Sequence, residues 1–169
     1  MSGGFFQFGP TYNSTQFVRA LIEGSLNGFH KIDATGANAV NGELAGKFAA
    51  VKDDGAGNTI VGVAKDENAV GLFREDVKDM INASDNATFY FRGGEYYIAE
   101  SRLGDAITNF TVGEYVTSDA NGAAIPTNDK TKALGIVTYV GGTFPMGNMY
   151  HWAGDAANGG KFLGISLLV

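Results

Sequence analysis

The sequence predicts a mainly β fold: a small antiparallel β-barrel or a two-sheet β-domain, with a short N-terminal helix and an extended N-terminal arm. Three observations predict it. Glycine reaches 25 of 169 residues and proline only 3, with no Gly-x-y period, beside 12 Phe and 7 Tyr; dispersed glycine among aromatics is the composition of strands joined by tight turns. From residue 28 onward, short apolar stretches alternate with clusters of Gly, Asp and Asn. An apolar-Gly-apolar triplet recurs as Val61-Gly62-Val63, Leu134-Gly135-Ile136 and Leu163-Gly164-Ile165, and glycine inside a strand marks a bend or a close backbone approach.

The elements follow in chain order. Residues 1–28 form an arm and a short helix, and residues 29–169 a β-rich domain. The first twelve residues hold three Phe, three Gly and no charge. A disordered tail is normally polar, so this arm is expected to lie against something, anchored by Phe5, Phe6 and Phe8, on its own domain or on a neighbour. In NSTQFVRALIEGSLNG, Asn13 or Ser14 can N-cap a helix, Phe17, Val18 and Leu21 share one helical face, and Gly24 or Gly28 can end it.

KFAAVKDD and NTIVGVAKD flank Gly55-Ala56-Gly57 as a hairpin. VGLFRED leads into EDVKDMINAS, a short helix or an extended loop. TFYFR and EYYIAES around Gly93-Gly94 read as the best hairpin of the chain. In it Phe89, Phe91, Tyr97 and Ala99 share one face, and Tyr90, Tyr96 and Ile98 the other. EYVTSDANGAAIPT is a further hairpin about Asn121-Gly122, followed by ALGIVTYV, a Gly-rich segment and the closing strand FLGISLLV. An apolar terminus of that kind needs cover from its own fold or from another subunit.

Composition narrows the function. The net charge is −6, from 12 basic and 18 acidic residues, and Lys and Arg never run together; nucleic-acid binding, which needs a basic stripe, is not expected. Charged residues make up 18% of the chain, below the roughly 25% of an average domain, as suits a permanently assembled subunit. Cysteine is absent, which removes disulfides, zinc–thiolate sites and thiol catalysis. MSGGFFQFGP lacks the pattern of a secretory signal, and no apolar run approaches the ~20 residues of a membrane-spanning helix.

Chemistry-bearing residues form no motif. The two histidines are His30 and His151. His30 and Asp33 fall on opposite sides of a strand, and His151 beside Trp152 lines a small-ligand pocket or packs under its loop. There is no G-x-S-x-G elbow, no H-E-x-x-H and no P-loop. The adjacent acids Asp53-Asp54, Asp66-Glu67 and Glu75-Asp76 suit solvated turns, and DDGAGN and DANG lack the alternating ligands and terminal Glu of a calcium loop. The expectation is a protein that is no enzyme, with no catalytic residue, metal or cofactor.

One internal similarity carries a resemblance. AGKFAAVKDDGAGNTIVGVA aligns with VGEYVTSDANGAAIPTNDKTKALGIVTYV: glycine, a charged residue, an aromatic, an Asp/Gly turn, then the apolar-Gly-apolar strand. Gly46-Lys47-Phe48 and Gly113-Glu114-Tyr115-Val116, each so followed, resemble small β-rich capsid decoration (cement) proteins of tailed bacteriophages, over about residues 44 to 140. The resemblance implies a virion structural protein on the capsid exterior that clamps neighbouring major capsid subunits and stands as a homo-oligomer on the capsid lattice, with neither nucleic acid nor membrane as partner. Its contact residues would be Phe5, Phe6, Phe8 and Tyr12 in the arm, with Phe17 and Leu21 on the helix. Two alternatives remain open: a tail-tube or head-completion protein, and a carbohydrate-binding module using Tyr150, His151 and Trp152.

Overall fold

A computed structural model describes residues 18–22, 25–27, 31–33, 43–65, 69–74, 76, 88–91, 93–141 and 161–169. These carry twelve strands: β1 (Val18–Ile22), β2 (Ser25–Asn27), β3 (Lys31–Ile32), β4 (Phe48–Asp53), β5 (Thr59–Val63), β6 (Gly71–Phe73), β7 (Phe89–Phe91), β8 (Glu95–Ala99), β9 (Tyr115–Ser118), β10 (Ala124–Thr127), β11 (Gly135–Gly141) and β12 (Phe162–Leu167). Helix among the described residues is limited to 3₁₀ turns at Glu100–Arg102, Ile107–Asn109 and Lys130–Lys132. The mainly β class holds, in its two-sheet form.

The first sheet runs β1-β8-β12-β11-β9-β10 and is antiparallel throughout. The second runs β2-β7-β6-β4-β5-β3, antiparallel except where β3 lies parallel to β5. Period-two alternation sends one set of side chains between the sheets. Phe48, Ala50, Leu72 and Tyr90 from the second sheet meet Tyr96, Ile98, Val116, Val137, Leu163 and Ile165 from the first in one buried cluster. The outer faces are apolar as well: Ala49, Val61, Val63, Phe73 and Phe89 cluster on the second sheet, Tyr97 and Phe162 on the first. The apolar terminus is thereby explained, because β12 lies between β8 and β11 with five of its six residues buried.

The expected N-terminal helix is a correction. Val18–Ile22 and Ser25–Asn27 are strands. A helix of about three turns has little stability of its own, whereas here the same residues complete backbone ladders against β8 and β7. Leu21 therefore sits in a strand, at the bulge between Ala20 and Ile22, and the helical face expected to join it to Phe17 does not form.

A second correction concerns the Gly93-Gly94 hairpin. β7 and β8 do not pair; β7 belongs to the second sheet and β8 to the first. The chain crosses between the sheets at Gly93 and Gly94, both at positive φ (+74° and +83°), where glycine alone is unstrained. The alternation itself holds, but the faces diverge. Tyr90 and Tyr96 meet in the shared core with ring centroids 4.7 Å apart, while Phe89 goes to one outer face and Tyr97 to the other. Too much apolar surface lies on both faces for a free two-stranded hairpin to cover, and splitting the pair over two sheets buries both.

β1 and β2 follow that crossing. Val18 faces Ile98, Arg19 faces Tyr97 and Ala20 faces Tyr96; past the bulge Ser25 faces Phe91, Leu26 faces Tyr90 and Asn27 faces Phe89. The register is the same on both sides of the bend. Residues 18–22 and 25–27 thus pair with 95–98 and 89–91 as one bent antiparallel ribbon shared by the two sheets along one margin.

The internal repeat is real, with one realignment. Gly46 and Gly113 both sit at positive φ (+83° and +90°) before β4 and β9. Their N–H groups donate to Phe73 and Val137 (3.0 and 2.8 Å), whose own N–H groups donate back to Lys47 and Glu114 (both 2.8 Å). Ala49 faces Gly71 as Val116 faces Gly135, and Phe48 faces Leu72 as Tyr115 faces Ile136. The counterpart of Leu134-Gly135-Ile136 is therefore Val70-Gly71-Leu72, not Val61-Gly62-Val63. Each unit is a hairpin with a return strand on its far side, β5-β4-β6 in one sheet and β10-β9-β11 in the other.

Candidate interaction site

The arrangement of the two margins is the feature that bears on function. At the β10 margin the edge is closed. After β8 the chain runs through residues 100–104 to β10, where Leu103 bridges Ala124 and the Gly104 N–H donates to the Ala124 carbonyl (2.9 Å). A Cβ on Gly104 would meet Ile125 Cγ2 at 2.7 Å and Asp119 Oδ2 at 2.8 Å, so only glycine permits this approach. Main-chain groups alternate direction along a strand, so Pro126 occupies the next outward position and offers no donor there. Proline at such a place is an edge-protecting device.

The same connection carries a buried charged group. Arg102 makes a two-pronged pair with Asp76, Nη1 to Oδ1 at 3.1 Å and Nη2 to Oδ2 at 3.0 Å. Asp76 Oδ1 also accepts the N–H groups of Leu44 and Ala45, each at 2.9 Å. Both side chains are buried, and Glu43 Oε2 stands 3.9 Å from Arg102 Nη1. The carboxylate has four donors and the guanidinium a matching fork, the condition under which a buried pair is tolerated. It clasps the segment before β4, the end of β6 and the turn after β8. Chemically it is a brace: nothing in it is left to attack or to transfer a proton.

A further tie comes from the turn 119–123 between β9 and β10. Asp119 Oδ1 accepts the N–H groups of Asn121 and Ala123 (2.8 and 2.9 Å), and Gly122, at φ +78°, turns its carbonyl to the Phe48 N–H of the other sheet (2.7 Å). A Cβ there would lie 2.9 Å from Val63 Cβ and 3.0 Å from the Phe48 carbonyl oxygen. The Asn-Gly turn is thus also a contact between sheets.

The β1–β2 margin is different. It is a single edge shared by both sheets, and among the described residues no strand pairs with its outer side. Inside it, Tyr97 donates to Glu95 Oε1 (3.3 Å) and stands against Tyr139, ring centroids 5.6 Å apart. Burial, with the Glu95 charge beside it, pushes the Tyr97 hydroxyl up to about 12.

Of the residues expected to make contacts, Phe5, Phe6, Phe8, Tyr12 and Phe17 lie outside the described residues, as do His30, Tyr150, His151 and Trp152. Leu21 lies in the open margin itself. Asp76, expected with Glu75 in a solvated turn, is instead buried against Arg102, a partner 26 residues away that no recognisable spacing announces. Among the described residues no group of three or more His, Cys, Asp or Glu could hold a metal ion, and no helix is long and apolar enough to cross a membrane.

No family model and no curated protein matches the chain. Among solved structures the chain is similar to the N base of the head fiber gp8.5 of bacteriophage phi29, at 12% identity and a TM-score of 0.47, over 85% of this chain and 94% of that one.

Proposed function

We propose that this chain is a non-catalytic structural protein of a tailed-phage head, a capsid decoration protein that sits on the outer surface and clamps neighbouring major capsid subunits. The observation that carries the reading is the contrast of margins. One edge is closed by Gly104, Pro126 and the Asp76–Arg102 clasp, while the β1–β2 edge of the bent ribbon offers main chain from both sheets. An open strand edge is an adhesive surface, because it presents a row of donors and acceptors to another chain. The arm of residues 1–12, with three Phe among its first eight residues, precedes in sequence that edge, which begins at Val18.

The resemblance supports the same reading, since its paired segments begin β4 and β9 as equivalent strands. Many copies, each adding a modest contact, would sum over a shell without dedicated chemistry. Major capsid protein is the partner, and copies of this chain stand as neighbours on the lattice.

The test is co-sedimentation with purified expanded heads of the cognate phage. Wild type should bind, and deletion of residues 1–12 should weaken binding roughly tenfold or more, the loss of one anchoring cluster, while leaving the thermal transition in place. A truncated chain that fails to fold would make the arm part of the core and end the contact role given to it. Polymerisation into tubes would instead favour a tail-tube protein, and glycan binding lost with Trp152→Ala a carbohydrate-binding module.

A further inference from the structure

The duplication supplies an inference that rests on the phage-head reading for its partner and on the repeat for its geometry. Turn 119–123 has a twin in turn 54–58. In both, an Asp N–H donates to the carbonyl four residues on, Asp54 to Asn58 at 3.0 Å and Asp119 to Ala123 at 2.9 Å. The same Asp side chain accepts two N–H groups, those of Ala56 and Asn58 (2.7 and 3.0 Å) matching those of Asn121 and Ala123. Gly57 at φ +85° stands where Gly122 stands at +78°.

Their surroundings are opposite. Gly122 is buried, its carbonyl on the Phe48 N–H and its Cα against Val63. All of residues 53–59 are exposed, and a Cβ on Gly57 would meet nothing within 4 Å. Among the described residues no main-chain N–H donates to the Gly57 carbonyl. The exposed twin is nevertheless the more heavily braced: Asp53 Oδ1 accepts from Gly55 and Gly57 (2.6 and 3.4 Å), and Asn58 Nδ2 donates to Asp54 Oδ2 (2.9 Å). A turn already held in its docked shape loses little freedom on binding.

We propose that turn 54–58 is a docking tip that offers the Gly57 carbonyl to a major capsid subunit. The seat of its twin specifies the chemistry of the partner: an unpaired main-chain N–H at the start of a strand, flanked by an aromatic and a β-branched side chain, as Phe48 and Val63 flank Gly122. The contact is main-chain to main-chain, so it needs close approach at Gly57 and none at Gly55, whose counterpart in the docked turn, Ala120, stays exposed.

The experiment makes one substitution at both twins and measures head binding and thermal unfolding. Asn tolerates left-handed backbone, so Gly57→Asn should keep the wild-type transition and weaken co-sedimentation with expanded heads about tenfold or more, as loss of a central contact does. Gly57→Asp gives a second reading with the same tolerance. Gly55→Asn should bind like wild type, and Gly122→Asn should lower the thermal midpoint. Wild-type binding by Gly57→Asn and Gly57→Asp overturns the docking tip and leaves the head reading standing. Equal loss with Gly55→Asn overturns it too, since the contact would then not centre on Gly57. Failure of the wild-type chain to bind heads overturns both.

Discussion

Two edges of the sandwich, β10 and the β1–β2 edge shared by both sheets, treat the same problem, exposed main chain, in different ways. At β10 each outward position is answered: the Ala124 carbonyl by Gly104, the next position by a proline without a donor, and the space behind by the buried pair of Asp76 and Arg102. At β1 and β2 the chain is recruited into both sheets at once, and among the described residues no strand pairs with its outer side. The difference teaches that, among the described residues, edge protection is concentrated at β10.

The largest expected effect tests the closed margin. Asp76→Ala removes the two-pronged carboxylate from the buried Arg102 charge and strips the Leu44 and Ala45 N–H groups of their acceptor. It should cost about 3–5 kcal/mol, read by urea unfolding, and the double variant Asp76→Leu/Arg102→Met should recover most of it. A single-variant loss below about 1 kcal/mol would show that the clasp does not hold this end, since that is the range of ordinary surface pairs.

Next come two substitutions at the open margin. Arg19 and Ala20 are neighbours in a regular stretch of ladder against Tyr97 and Tyr96, so one points its main chain at β8 and the other outward. Proline at the inward position removes a ladder donor and should cost about 1–3 kcal/mol through the acceptor left unsatisfied. At the outward position it should spare the thermal transition and reduce head binding. Equal damage to stability from both would mean that the outer edge is already engaged within the chain.

A smaller effect separates the ribbon from the rest by pH. The Tyr97 hydroxyl titrates at about 12 in the folded chain against 10.0 ordinarily, so the folded form holds that proton more tightly. Its contribution is complete below pH 10 and is lost as pH rises from there to about 12. Alkaline unfolding of Tyr97→Phe should lack that component; an unchanged pH profile would remove the assignment.

The smallest effect lies at the exposed turn. The Asn58 amide, with the Ala56 and Asn58 N–H groups, holds the Asp54 carboxyl below its ordinary range. Asn58→Ala should move that carboxyl back toward the ordinary value in an NMR titration with almost no change in the thermal midpoint. A marked drop in stability would mean that the turn braces the sheet, and that its rigidity has a use other than docking.

Local signals carry most of the fold. The β4–β5 and β9–β10 hairpins are legible because an Asp/Gly turn and flanking alternation decide such a unit by themselves. Where the outcome depends on distant partners, the sequence misleads. Val18–Ile22 has a helical spacing of apolar residues, and only the ladder to β8 makes it a strand. Tyr90 and Tyr96 alternate as in a hairpin, and a bent ribbon produces the same alternation, so nothing short of β1 and β2 distinguishes the two. Gly71 is hidden as the repeat's true counterpart because an unrelated triplet, Val61-Gly62-Val63, stands nearer the turn. Of the candidate site, the arm lies outside the described residues and its reading rests on sequence alone, while the edge that follows it in sequence reads as a helix.

The placing of β12 and β1 gives the molecule a mechanical direction. Tension applied at Val18 meets the ribbon end-on, so its rungs would break in succession, first in one sheet and then, past the bend, in the other. Tension applied at Val169 loads β12 lengthwise between two neighbours, and both flanking ladders would have to shear together. Among the described strands, β1 should therefore come away under a weaker pull at Val18 than β12 does under a pull at Val169.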